Sequence, residues 1–382
     1  MDRSNFDKIK YDRLIEPYLE MYRYLFFHQG YKPLQINEML EIEKAKLVNN
    51  PNLFVIPQMA LCITTVCNLR CKDCVNGLPH IKNSRHLDVD AVIKHQDKLL
   101  SAVDSCVQLG IGAAEALLHP DLSKVLEHYL DHKKIGIVLI TTNAVKLPPE
   151  SLIPLMQNDK FILRVSDYRN LMDTSRLVEF LERNKIRFHL DNISMWTSPG
   201  GVEKRCKSEE ELKREYARCF TGKYCKTLLG SRLYPCSRAA FLADSEYIPA
   251  SSTMGLNIDD YDSTDALRLA LLEFYLNDYT IACDYCDMNI DKPRNVIAGV
   301  QFGDSSLINK SECTLIKRND LDGLRSYNDQ LIEAKEYHEQ QSEAWQQVAV
   351  KQENIIKDLQ EWAHQLEEAK QYLEQQLSDY RQ

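Results

Sequence analysis

Three thiols stand within eight residues, Cys67-Asn-Leu-Arg-Cys71-Lys-Asp-Cys74, directly after the strand-like stretch 60–66. Thiolate sulfur selects soft metals and iron–sulfur clusters. Three closely spaced thiolates can hold three irons of a four-iron cubane and leave the fourth open to a small molecule. A structural zinc site wants a fourth ligand, and no further cysteine follows before Cys106. Buried small hydrophobes or a zinc knuckle are the plainer alternatives for such a triplet. Farther along stand Cys219, Cys225, Cys236, Cys283 and Cys286, five thiols for the four positions of a closed site. On spacing alone, zinc and an iron–sulfur cluster suit this second set equally.

The elements that must position these thiols show in the apolar pattern. Ile135–Ile140 and Phe161–Val165 read as buried parallel strands, and 177–183 as a crossover helix between two of them. Three polar segments follow predicted strands: Gly112-Ala-Ala-Glu115, Thr141-Thr-Asn-Ala144 and Ser166-Asp-Tyr168. The carboxyl ends of strands are where α/β barrels build their sites. Residues 1–55 read as helical, and Gly230 as a turn between two strands. No glycine or proline lies beyond Gly323, and from Leu324 to Tyr380 a heptad seam runs in alternating steps of three and four residues. That period predicts a left-handed coiled coil and pairing with a partner helix or a second copy.

Composition bounds the function. The chain has 382 residues, 44% of them hydrophobic, and a net charge of -9. That net charge argues against unspecific nucleic-acid binding, and most of it sits in 325–382. No apolar run is long enough to span a bilayer, and the N-terminus lacks a signal pattern, so a cytoplasmic location is expected. Twelve cysteines in a long chain of this kind point to metal or redox chemistry rather than disulfides.

Taken together, Cys67, Cys71, Cys74 and the three polar segments resemble the radical S-adenosylmethionine (radical SAM) enzymes. Residues 112–115 are similar to that family's glycine-glycine-glutamate segment, with alanine at 113 and 114. Residues 142–144 are similar to its Thr-Asn-Gly, again with alanine for glycine. The added methyls would crowd SAM if their φ is positive. Asp73 stands where the family often carries an aromatic. The resemblance implies a 4Fe–4S cluster on Cys67, Cys71 and Cys74, with S-adenosylmethionine on its open iron. Glu115, Asn143, Ser166 and Asp167 are the implied cofactor-binding residues; no catalytic residue is assigned. It further implies reductive cleavage to a 5′-deoxyadenosyl radical that takes hydrogen from substrate, with flavodoxin or ferredoxin as reductant.

The second thiol set resembles the twitch subdomain, a half-length SPASM domain, which implies an auxiliary 4Fe–4S cluster on Cys236, Cys283, Cys286 and either Cys225 or Cys219, with Cys225 favoured. Cys62, Cys106, Cys206 and Cys313 are left as core or surface thiols. The expected fold is α/β: a partial (β/α)6 TIM-type barrel, a small α+β auxiliary-cluster subdomain and a long C-terminal coiled-coil helix. The boundaries are 1–55 helical extension, 56–210 barrel, 211–300 auxiliary domain, 301–323 linker and 324–382 coiled coil. Arg238, Trp196, Lys204, Arg205 and Arg294 are candidate anion contacts. The tail is similar in style to tails on enzymes of surface-polysaccharide assembly, which implies a sugar or nucleotide-sugar substrate that is oxidised, epimerised or dehydrated. A peptide- or protein-modifying maturase and a non-catalytic iron–sulfur scaffold acting through the coiled coil are the competing readings.

Overall fold

Near-continuous Val, Ile and Leu runs make strands that are buried on both faces, which is the condition for a parallel sheet. The computed structural model describes residues 14–28, 33–50, 52–168, 173–249 and 254–302. Five such strands lie side by side: β1 (Val55–Cys62), β2 (Ser105–Gly112), β3 (Ile135–Thr142), β4 (Phe161–Asp167) and β5 (Phe188–Asn192). Each pairs in parallel with the next. The two strands expected at 135–140 and 161–165 are therefore β3 and β4.

Helices α3 (Val89–Ser101), α4 (Leu122–Leu130) and α6 (Ser175–Arg183) make crossovers of this sheet. Their apolar residues recur at helical spacing; Val89, Val92, Leu99 and Leu100 of α3 are buried. They join one core with Leu61, Leu109, Ile140, Leu163 and Val165 of the strands. Truncating any one of these leucines would cost about 2–5 kcal/mol. The short α5 (Ile153–Met156) leads from β3 to β4. The helical reading of the N-terminal segment corresponds to α1 (Glu16–His28) and α2 (Pro33–Asn49). Tyr18, Met21 and Leu47 from this pair pack on Val107, Ile137, Leu139 and Ile162 of the sheet.

The segment after residue 210 is not set apart from the sheet. Helices α7 (Glu209–Arg218) and α8 (Phe220–Tyr224) lead into β7 (Cys225–Leu229), which pairs in parallel with β1. β7 turns at Gly230, φ 60°, into β8 (Arg232–Tyr234), and β9 (Leu256–Asn257) completes an open sheet in the order β5-β4-β3-β2-β1-β7-β8-β9. Between β8 and β9 lies α9 (Ser237–Asp244). A separate two-stranded ribbon joins β6 (Met195–Thr197) to β10 (Asn295–Ile297). Helix α10 (Thr264–Leu276) sets Tyr275 edge-on to Phe54, 5.9 Å between ring centres. Its Arg268 donates to the carbonyls of Asn52 and Ala102 and to Asp104. These bonds tie α10 to the amino-terminal ends of β1 and β2.

The described residues fall within one compact unit, Met1–Asp304. The division expected at 210 thus runs through a continuous sheet. Among the described residues, no helix is long and apolar enough to cross a membrane. The coiled coil expected at 324–382, and Cys313, lie outside the described residues.

Candidate functional site

Strand β1 ends at Cys62, and the chain then carries Cys67, Cys71 and Cys74 over the carboxyl end of the sheet. Main-chain N–H groups face these sulfurs. Leu69 donates to Cys67 Sγ at 3.4 Å, and the N–H groups of Asn76, Gly77 and Leu78 face Cys74. Side-chain amides add two more, Asn143 Nδ2 at 3.7 Å from Cys67 and Gln301 Nε2 at 3.5 Å from Cys71. Gln301 also accepts from Arg70 N at 2.7 Å, while Lys72 N donates to Val300 at 2.7 Å. The sequence reading placed Gln301 in a linker; nothing in its local sequence marks it as a clamp on this loop.

Burial pushes the Cys67 thiol up to about 11 and the Cys71 thiol up to about 12, and Cys74 adds to both. Bare, these are protonated thiols; a metal that binds them displaces the proton outright. The donors then suit the thiolate form, because N–H···S bonds are among the means by which a protein sets a cluster's potential. Cys62 and Cys106 behave oppositely. Each sulfur lies against a carbonyl oxygen, Thr64 at 3.3 Å and Gln108 at 3.4 Å, as expected of core thiols.

The polar strand ends converge on the same loop. Glu115 is buried, and its carboxylate accepts from Thr142 Oγ1 at 3.0 Å and from Asn143 N at 2.9 Å. Burial raises its pKa, and these two donors oppose the rise. Glu115 therefore fixes the turn that aims Asn143 Nδ2 at Asn68 Oδ1, 2.7 Å away, and at Cys67. Ala113 and Ala144, two of the alanines standing for glycines, have φ of 74° and 63°. They hold the left-handed backbone that glycine would supply. Asn76 Nδ2 donates to the Ala113 carbonyl, while its buried Oδ1 has no partner among the described residues.

These residues border a cavity of about 530 Å³. Cys67, Cys71, Cys74, Glu115, Asn143 and Ser166 line it. Asp167 is not among the lining residues. Successive residues of a strand point to opposite faces, so Arg164, Ser166 and Tyr168 turn into the cavity and Asp167 turns away. Tyr168 meets Trp196 edge-on at 5.3 Å. Arg164 and Asp191, both missed in the sequence, line the cavity as an ion pair. Residues of β5 and of β7 share this one lining, so the sheet curves around it.

The second thiol set gathers differently from the expected one. Cys219 and Cys236 cap α8 and α9, and their sulfurs accept from Gly222 N at 3.2 Å and Ala239 N at 3.4 Å. Burial pushes the Cys236 thiol up to about 12, and the Ala239 N–H opposes that rise. Cys283 and Cys286 stand on and just after the short turn Ile281–Tyr285. Burial is the main cause of the raised Cys283 pKa, and Cys236, Cys219 and Cys286 add to it, which places the four sulfurs within electrostatic reach. Cys225 is the one left out. The five residues of α8 separate it from Cys219 and put the two at opposite ends of that helix. Cys225 pairs with Gln58 on β1 and lines the cavity near Cys106. Among the described residues, no three His, Cys, Asp or Glu side chains converge closely enough for a single metal ion.

The candidate anion contacts are otherwise engaged. Arg205 pairs with Asp287 at 3.0 Å, Arg294 with Asp73 at 3.1 Å, and Lys204 faces Asp284 at 3.9 Å. Arg238 is buried on carbonyl oxygens. Trp196 lines the cavity.

No family model and no curated protein matches the chain. Solved structures similar to it include BtrN in complex with AdoMet and 2-DOIA, 14% identical, covering 63% of this chain and 98% of that one, TM-score 0.38. Streptococcus suis SuiB bound to S-adenosylmethionine is 15% identical over 63% of this chain and 74% of its own, TM-score 0.34. Native anSMEcpe with bound AdoMet is 14% identical over 63% and 84%, TM-score 0.38. Likeness at this level assigns neither family nor activity, and the functional reading rests on the chain's own residues.

Proposed function

We propose that this chain is a radical S-adenosylmethionine enzyme in which the six parallel strands of the curved eight-stranded sheet form a partial barrel around a small-molecule substrate. The observation that carries the proposal is convergence: three N–H-bonded thiols, the Glu115-held Asn143 and Ser166 border one cavity at the carboxyl ends of parallel strands. Cys67, Cys71 and Cys74 would hold a 4Fe–4S cluster, and Cys219, Cys236, Cys283 and Cys286 an auxiliary one. Three local thiols leave one iron open, whereas four close a cluster. When bound, the first cluster and S-adenosylmethionine would supply one-electron reductive cleavage and hydrogen-atom abstraction from substrate. A low-potential flavodoxin or ferredoxin would supply that electron.

The residues of the chain have the remaining tasks. Glu115 orients Asn143 toward the cluster loop. Ser166, which hydrogen-bonds Tyr168, presents its hydroxyl where a ribose would lie. Gln58 and Gln108 are cross-strand partners on the cavity floor, beneath the small Ala60 and Gly110. Thr227 is fully buried there, and its Oγ1 has no hydrogen-bond partner among the described residues. The two amides match a substrate rich in hydroxyl groups, because each can donate and accept. Arg164, the cation of the described lining, is already held by Asp191. A sugar, free or carried on a nucleotide, fits this floor.

The test is anaerobic reconstitution with iron and sulfide, then S-adenosylmethionine and dithionite, with 5′-deoxyadenosine as the readout. We expect product from the native chain and none from Cys71→Ala. Equal product from both would end the cluster assignment. Iron content divides the second set: Cys219→Ser should lose about half the iron and Cys225→Ser none.

A further inference from the structure

Arg238 lies two residues beyond Cys236 and is 4% exposed. Its Nε and Nη2 donate to the Tyr285 carbonyl at 3.0 and 2.9 Å. Nη1 donates to the Val75 carbonyl at 3.1 Å, and Nη2 also to Gly201 at 2.7 Å. Val75 follows Cys74 and Tyr285 precedes Cys286. One guanidinium thus binds the backbone beside a thiol of each set, and springs from the helix that a third thiol caps.

All these partners are neutral carbonyls. An ionised group taken out of water costs several kcal/mol unless an opposite charge offsets it. Arginine does not shed its proton to escape that cost. The Val75 and Tyr285 carbonyls it binds adjoin Cys74 and Cys286, and Cys236 caps the helix that carries it. The tie alone calls for donors on three sides, more than the two N–H groups of a glutamine amide offer, but it does not call for a charge. The countercharge that makes arginine the fitting choice is that of thiolate-bound clusters on either side.

Resting on the two-cluster reading above, we infer that Arg238 is a shared counter-cation, a positioning residue that makes both clusters easier to reduce. In the redox step each four-iron core takes one electron from an external donor and passes from 2+ to 1+. No bond breaks and no proton is required. The thiolate-bound cluster gains one unit of negative charge, and a fixed cation favours that form. Arg238 springs from the helix that Cys236 caps and binds the carbonyl before Cys286, against the one carbonyl after Cys74, so the second cluster should feel it more.

The experiment is a dithionite-poised redox titration of the full chain, read by electron paramagnetic resonance of each reduced cluster and checked against iron content. Arg238→Gln with full iron should shift both midpoint potentials to more negative values, the second cluster's more. Arg238→Lys keeps the charge and should stay near the native values. Unchanged potentials in a fully loaded Arg238→Gln would overturn the inference, as would a lysine variant that shifts as far as the glutamine one. Loss of iron from both variants would make Arg238 a structural tie and overturn it too. If the native chain holds only one cluster, the two-cluster reading has failed and this inference falls with it. Iron content of Cys71→Ala and Cys283→Ala would show which set is empty.

Discussion

At the scale of single residues, the alanines at 113 and 144 carry opposite balances of the same terms. An L-residue in the left-handed region costs about 1–2 kcal/mol, while glycine costs about 0.5–1 kcal/mol in chain entropy. Ala113 is half-buried at the cavity wall, so its methyl contributes little. Ala144 is buried in the main core, and its methyl is worth about 0.8 kcal/mol there. Ala113→Gly should therefore stabilise the cluster-free protein by about 0.5–1 kcal/mol, and Ala144→Gly should be near neutral. Urea midpoints at constant slope decide this. An Ala113→Gly variant less stable than the native chain would show that the left-handed turn carries no strain. The alanine-for-glycine changes were plain in the sequence, but their φ was not, since the same dipeptide is at ease in an ordinary turn. Ser166 and Asp167 are a different case: the two-residue strand period sets them on opposite faces of β4, and Ser166 is the one that lines the cavity.

At the scale of elements, β3, β4 and α6 were legible because each signals itself in a short window of apolar residues. The partner of β7 was not. Cys225 pairs with Gln58 across a gap that spans most of the sheet, and no local pattern encodes a neighbour so distant in sequence. That placement is also what favours Cys219 over Cys225 in the proposed second site. The second thiol set is held together by α7 in a way the charge pattern did not reveal. Ser208 and Glu211 form a capping box at its start. Its Glu215 receives Lys207 Nζ at 2.8 Å, and the same ammonium donates to the carbonyls of Cys283 at 3.1 Å and Cys286 at 2.6 Å. Removing one partner of a buried pair costs about 3–5 kcal/mol. Lys207→Met should therefore free the Cys283–Cys286 turn and lose the auxiliary iron, about half the total, while 5′-deoxyadenosine formation persists. Full iron retention in Lys207→Met would mean that the turn holds its shape without the ammonium.

At the scale of the whole molecule, the question is whether the two thiol sets belong to one folding unit. Cysteine spacing suggested a barrel followed by an appended domain. The sheet order places β7, from the second set's segment, against β1, which launches the first set. Helix α10, from the same segment, covers the amino-terminal ends of β1 and β2 through Arg268 and Tyr275. A chain ending at residue 210 would lose both at once. It would expose the full edge of β1, an apolar parallel strand that is a ready template for aggregation. It would also uncover Phe54 and the strand starts beneath α10. Total stability of about 5–15 kcal/mol cannot absorb the loss of several buried side chains at about 2–5 kcal/mol each. Residues 1–210 expressed alone should be insoluble, or collapsed without fixed side-chain packing by near-ultraviolet circular dichroism. In the full chain, fluorescence and circular dichroism should report one coincident unfolding transition. A soluble, cooperatively unfolding 1–210 fragment that still takes up iron would restore the two-domain division. It would also make the parallel pairing of β1 with β7 a docking contact rather than part of a shared core.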